Sequence, residues 1–188
     1  MSGQELAALL EGSPIIAAVK DDSGLERCLK SGCQAVFVLY GDLISAGGIT
    51  ARLKAAGKTV FLHLDRVEGL AAREAAADFA ARYTEADGIL STKAALVHRA
   101  KALGLLAVQR FFLLDSIALE SARRQLAAGT ADLVEILPGV MPKIIRQLAG
   151  EGLPLITGGL ISDKEDVVAA LSAGACAVST TNPALWEL

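Results

Sequence analysis

Aromatic residues make up only 4% of this 188-residue chain, and histidine occurs twice, at His63 and His98. The first shortage leaves little material for a base-stacking surface. With so little histidine and no Ser-His-Asp or Cys-His signature, the usual local signs of a nucleophilic hydrolase are missing. The cysteines are few as well: Cys28, Cys33 and Cys176, an odd number with no C-x-x-C pair. That argues against a disulfide framework and for a reduced, cytoplasmic setting. No apolar run reaches the roughly 20 residues that span a bilayer, and the opening MSGQELAALLEGS lacks the basic n-region of a secretory signal. Neither G-x-G-x-x-G nor a Walker A motif occurs, which removes the common nucleotide fingerprints. A net charge of −3 provides no global attraction to nucleic acid.

Apolar residues are abundant, at 53%, and they fall into eight short runs. These are IIAAV from Ile15, AVFVL from Ala35, TVFLHL from Thr59, GIL from Gly88, LLAVQ from Leu105, DLVEIL from Asp132, PLIT from Pro154 and ACAVS from Ala175. Each is the length of a strand, and their nearly unbroken apolarity is that of parallel strands covered on both faces. Amphipathic stretches lie between them. SIALESARRQLAA places Ala118, Leu119, Ala122 and Leu126 on one helical face, opposite Glu120, Arg123 and Arg124. Glycines follow several such stretches, as in KAAGK, KALGL and LSAGA, where they signal helix ends. Ser116 after FFLLD marks a helix start. Eight strand–helix units predict a compact (β/α)8 barrel, one domain over residues 1–188, with a truncated last helix in PALWEL. An open doubly wound sheet is the less favoured alternative.

A barrel places the ends of strands seven and eight side by side at the mouth, where phosphate sites in this architecture commonly form. Strand seven runs into Gly158 and Gly159, and strand eight into Ser179 and Thr180. The four residues make a candidate phosphate cradle; the plainer reading is that the glycines only turn the chain. Further polar residues interrupt the other strands: Lys20 closing strand one, His63 and Asp65 in strand three, Gln109 in strand five and Glu135 in strand six. Converging at the mouth, they would line a polyol-phosphate pocket. Glu135 by itself also fits a buried ion pair, with Lys20, Arg110 or His63 as partner. Asp65 and Glu135 acting as acid and base would make the pocket an enzyme. His63 with carboxylates is a weak metal constellation, and no metal or cofactor is expected.

The segments GKTVFLHLDRVEGL, DGILSTKAALVHRAKALGLLAVQRFFLLDSIALE, VEILPGVMPKIIRQL and GGLISDKEDVVAALSAGACAVSTTNPALW occur in that order. Together they closely resemble the glycerol-3-phosphate-responsive antiterminator family, over most of the chain from about Val36. The resemblance implies a TIM-like barrel with glycerol 3-phosphate as effector and a leader mRNA of glycerol-utilisation genes as partner. It implies a regulator rather than an enzyme. The competing reading on the same barrel is an isomerase, epimerase or synthase acting on a small phosphosugar or a triose or glycerol phosphate. A homo-oligomer is compatible with either. Two positions depart from the family pattern. Lys93 stands where arginine is usual, keeping the charge without the bidentate geometry. The turn after GGLI is SDKED, acidic on balance, where the family tends to be basic or hydroxyl-rich.

If RNA is a partner, the charge distribution suggests where it would bind. The segment from Lys93 to Arg146 carries +4, leaving −7 for the rest. Its basic residues are Lys93, Arg99, Lys101, Arg110, Arg123, Arg124, Lys143 and Arg146. On adjacent helices of a barrel they would form a basic strip that meets RNA phosphates. Solvated helix faces would produce the same count.

Overall fold

The structure, a computed structural model, describes residues 3–71, 73–151 and 154–188. Eight parallel strands close into a barrel in chain order, β8 pairing back onto β1. They are β1 (Ile15–Val19), β2 (Ala35–Val38), β3 (Thr59–His63), β4 (Gly88–Ser91), β5 (Leu106–Phe112), β6 (Leu133–Leu137), β7 (Leu155–Gly158) and β8 (Ala177–Thr180). All eight coincide with the apolar runs of the sequence. Helices α2 (Asp22–Lys30), α3 (Ala46–Ala55), α4 (Ala75–Tyr83), α5 (Ala94–Ala102), α6 (Ser116–Ala128), α7 (Pro142–Ala149) and α8 (Lys164–Ser172) follow β1 to β7 in turn. The architecture is a (β/α)8 barrel.

The apolar runs are continuous because the strands separate two cores. Ile16, Ala18, Phe37, Phe61, Leu90, Val108, Leu133 and Ile156 fill the barrel interior. Their chain neighbours Ala17, Val36, Val60, Leu62, Ile89, Ala107, Val134 and Leu155 join the sleeve between strands and helices. With both faces dry, there is no polar alternation to read. Phe37 and Phe61 meet edge to face inside, with centroids 5.6 Å apart.

The pairing of helices with strands departs from the simple repeat at both ends. Helix α1 (Gly3–Gly12) precedes β1, and its Leu6 and Leu10 are buried in the interior cluster. It thus plugs the end of the barrel where the strands begin. After β8 the chain makes only a 3₁₀ turn, Pro183–Leu185. Trp186, next in the chain, donates from Nε1 to the Thr180 carbonyl at 2.9 Å, so one buried indole pins this turn against the end of β8. Helix α6 begins at Ser116, where the sequence places a helix start, but its capping side chain lies one residue earlier. Asp115 is the cap, accepting from the Ala118 N–H at 2.8 Å, and Ser116 is the first helical residue.

Candidate functional site

At the opposite, C-terminal end of the strands, β5 and β6 carry a buried ion pair between neighbouring positions in register, Arg110 and Glu135. The Arg110 Nε–H donates to Glu135 Oε2 at 2.5 Å, and the Ser179 hydroxyl donates to Oε1 at 2.5 Å. Glu135 is fully buried and the Arg110 side chain is 8% exposed. Of the three partners the sequence offers Glu135, the structure selects Arg110. A carboxylate at this depth persists because both oxygens receive donors.

The Ser179–Glu135 bond runs from β8 to β6 and passes over β7 at Gly158. A Cβ there would lie 2.2 Å from Ser179 Oγ and 2.9 Å from Glu135 Oε1. Glycine is therefore the residue that lets the two outer strands join hands across the middle one. Gly159 has a different reason. Its φ is +73°, a left-handed conformation costly for other residues, and its carbonyl accepts the Gly139 N–H at 3.0 Å. It turns the chain into the loop that roofs the site, where Leu160 is also left-handed, at φ +61°.

Above the ion pair is a cavity of about 130 Å³, roughly the liquid volume of four waters. Arg110, Gly159, Ser179, Thr180 and Thr181 supply its polar wall; Leu39, Leu137, Leu160 and Ile161 contribute apolar surface. Thr180 also braces the loops around it, donating to the Ile161 carbonyl at 3.3 Å and accepting from the Asn182 N–H at 3.1 Å. Asn182 in turn donates to the Ser162 carbonyl at 3.0 Å. The turns after β7 and β8 are thus fixed to each other around the opening.

The other polar strand residues have separate places. His63 is buried on the interior face with Phe61. Burial, followed by the positive charge of Arg110, pushes its pKa down to about 3 against the pull of Asp65, so the ring is neutral. Its Nδ1 is 4.0 Å from Asp65 and has no hydrogen-bond partner among the described residues. Asp65 does not continue the parity of β3, because the strand ends at His63 and a 3₁₀ turn (Leu64–Arg66) follows. Its carboxylate turns to the β4 end and accepts from Ser91 Oγ at 2.7 Å, the Thr92 N–H at 2.7 Å and Thr92 Oγ1 at 2.8 Å. Burial raises its pKa, but these three donors outweigh it and hold the carboxyl below its ordinary range. Gln109 is not at the mouth. It shares the outward face with Ala107, and its Nε2 donates to the Ser91 carbonyl at 3.4 Å. Lys20 is exposed just beyond β1 and lines an adjoining cavity instead.

The structure divides the eight basic residues of the strip into four that are paired with carboxylates and four that are exposed. Arg110 belongs to the barrel interior because it shares parity with Leu106 and Val108. Arg99 pairs with Asp78 at 2.6 Å, Lys101 with Asp132, and Arg123 with Glu151 at 3.0 Å. Arg124 contacts Ser121 Oγ at 3.1 Å. Lys93, Lys143 and Arg146 are exposed. Sequence reading missed Thr181 in the cavity wall. The run Ser179–Thr180–Thr181 carried the signal, since inward parity at 179 repeats at 181.

Known proteins share both this sequence pattern and this barrel. A family model described as "Glycerol-3-phosphate responsive antiterminator" matches residues 15–186. The YgcP protein of Escherichia coli strain K12 is 42% identical over 184 residues, covering 97% of this chain and 96% of the relative. Among solved structures, the glycerol uptake operon antiterminator regulatory protein of Listeria monocytogenes superposes with a TM-score of 0.87 at 32% identity, covering 92% of this chain and 94% of that one. A glycerol uptake operon antiterminator-related protein of Thermotoga maritima gives 0.83 at 35% identity, over 94% and 99%.

Proposed function

The chain belongs to the glycerol-3-phosphate responsive antiterminator family, and from that premise we propose that it is a cytoplasmic, non-enzymatic regulator whose effector is glycerol 3-phosphate. The observation that carries the reading is the mouth cavity, where one guanidinium and three adjacent hydroxyl side chains surround a space of small-molecule size. The phosphate lies against Arg110, the Gly159 backbone, Ser179, Thr180 and Thr181, and the glycerol carbons meet the leucine side. Glu135 holds Arg110 in position and, by accepting from Ser179, fixes the hydroxyl beside it. Asp65 and Glu135 do not serve as an acid–base pair in this reading, because each already accepts two or three hydrogen bonds. Calorimetric titration tests it: glycerol 3-phosphate binds, glycerol does not, and Gly159→Val abolishes binding. Undiminished binding by that variant would refute the site.

The macromolecular partner is the leader mRNA of glycerol-utilisation genes, met through backbone phosphates. The interaction falls to the basic side chains exposed on the α5–α7 flank, Lys93, Arg124, Lys143 and Arg146, rather than to the ion-paired ones. Replacing Lys143 and Arg146 with glutamate weakens RNA binding and lowers the slope of log K against log salt by about 0.7 for each RNA phosphate that is no longer neutralised. Unchanged affinity across a salt series excludes this flank.

A further inference from the structure

A second cavity, of about 180 Å³, adjoins the first between the β1–α2 turn and the segment after β8. Lys20, Ser23 and Arg27 line one side, and Thr181 and Trp186 the other. The two cavities share Ala18 and Thr181, so the second continues the first across a single threonine. The cations at its far end are available. Arg52, Lys54, Arg99, Lys101, Arg110 and Arg123 all form ion pairs, whereas among the described residues Lys20 and Arg27 form none. The one carboxylate lining this cavity, Asp21, is engaged as the cap of α2, its Oδ1 accepting from the Gly24 N–H at 2.7 Å. Asp22 is turned away, its carboxylate accepting from the Tyr40 hydroxyl at 2.8 Å.

The result is an elongated site with a cation near each end and hydroxyls between. Arg110 and the β8 hydroxyls stand at one end, Lys20 and Arg27 at the other. Glycerol 3-phosphate has one anionic group, and it can engage only one of these ends. We propose that the site extends the effector class to doubly anionic polyol phosphates, in which a second carboxylate or phosphate, carried on the same carbon chain, is received by Lys20 and Arg27. The inference rests on the reading that the mouth cavity takes the first phosphate. A carboxylate or a phosphate suits the far end equally in charge; the fork of Arg27 engages two oxygens, and the Lys20 ammonium adds a point charge.

The test is calorimetry on the full chain in about 0.15 M salt, a strength at which distant surface charges are screened. The probes are glycerol 3-phosphate, 3-phosphoglycerate and fructose 1,6-bisphosphate; the last two separate a carboxylate from a phosphate at the far end. The wild-type chain binds at least one doubly anionic probe about tenfold more tightly than glycerol 3-phosphate, the gain of one charged hydrogen-bond set. The double variant Lys20→Ala, Arg27→Ala loses that advantage and holds glycerol 3-phosphate within twofold. Both residues are exposed, and a thermal melt confirms that the variant folds. The inference is overturned if neither doubly anionic probe exceeds glycerol 3-phosphate, or if the double variant weakens all three alike. If glycerol 3-phosphate fails to bind while a doubly anionic probe binds through Lys20 and Arg27, the effector reading falls and this one stands.

Discussion

Gly158 is a position where the mouth of the barrel responds sharply to a single methyl group. In Gly158→Ala the new Cβ would start 2.2 Å from Ser179 Oγ and 2.9 Å from Glu135 Oε1. The first distance is prohibitive, whereas the second is relieved by a shift of a few tenths of an ångström in Glu135 Oε1, the carboxylate staying anchored from its other oxygen by Arg110. The Ser179 hydroxyl is the group that can rotate away. Doing so leaves Oε1 of a fully buried carboxylate without a donor. A hydrogen bond to a charged group is worth about 1.5–3 kcal/mol, so the variant should lose about 2 kcal/mol and melt about 4–8 °C lower for a chain of this size. Ser179→Ala should cost a similar amount, because it removes the same donor.

Combining the two changes separates this account from a general intolerance of side chains at the site. With Ser179 already alanine, the obstacle at 2.2 Å is gone, and the Cβ meets only the carboxylate and the Ser179 carbonyl at 3.2 Å. Gly158→Ala should then cost less than about 1 kcal/mol, and the double variant should be about 1–2 kcal/mol more stable than the sum of the singles predicts. Independent sites add within about 0.3–0.5 kcal/mol. Urea unfolding followed by circular dichroism and by the emission of Trp186, the single tryptophan, measures all four proteins. Additivity within that margin, or a harmless Gly158→Ala, would refute the reasoning.

Arg110→Met alone should destabilise by about 3–5 kcal/mol, since it leaves Glu135 charged and unpaired in the interior; adding Glu135→Met should recover most of the loss while still abolishing effector binding, as read by urea unfolding and calorimetry. His63 gives the fold a pH dependence with a definite sign. Its pKa is depressed to about 3 in the folded state, so between about pH 6.5 and 3 the unfolded chain binds a proton that the folded one refuses, and this contribution falls by about 1.4 kcal/mol per unit as pH drops. His63→Gln should flatten the difference in urea midpoint between pH 7 and pH 5; an unchanged slope would show that the ring protonates freely in place.

The strands were legible because every one is covered on both sides, which writes a continuous apolar run into the sequence. The same property hid which face is which. Gln109 was correctly aligned with Ala107, but that alignment puts it in the outer sleeve, while the charged residue beside it, Arg110, points inward. An unbroken run gives parity without direction. Period-2 reasoning also needs a strand to act on. It holds for Phe61 and His63, and it fails at Asp65 because the backbone has by then entered a 3₁₀ turn. Charge counting failed differently. The positive segment appeared unbalanced because two of its balancing acids, Asp78 and Glu151, lie outside it in sequence and beside it in space.

These misreadings share a cause with the one feature that makes the mouth specific. A buried Arg–Glu pair contributes little net stability, since well-packed apolar residues of similar volume often do as well or better. Nothing in the packing of this barrel calls for one, and the layer below is filled by Phe37, Phe61, Leu90 and Val108 without polar atoms. What the pair adds is position. Glu135 is reachable only from inside, so it holds the inward-facing Arg110 of β5 and takes the Ser179 hydroxyl across β7, where Gly158 leaves room for that bond. Four strands, β5 to β8, are thereby committed to holding a cation and a hydroxyl at the floor of a small cavity. Giving up packing freedom on four strands to orient two polar groups is what the proposed effector site requires.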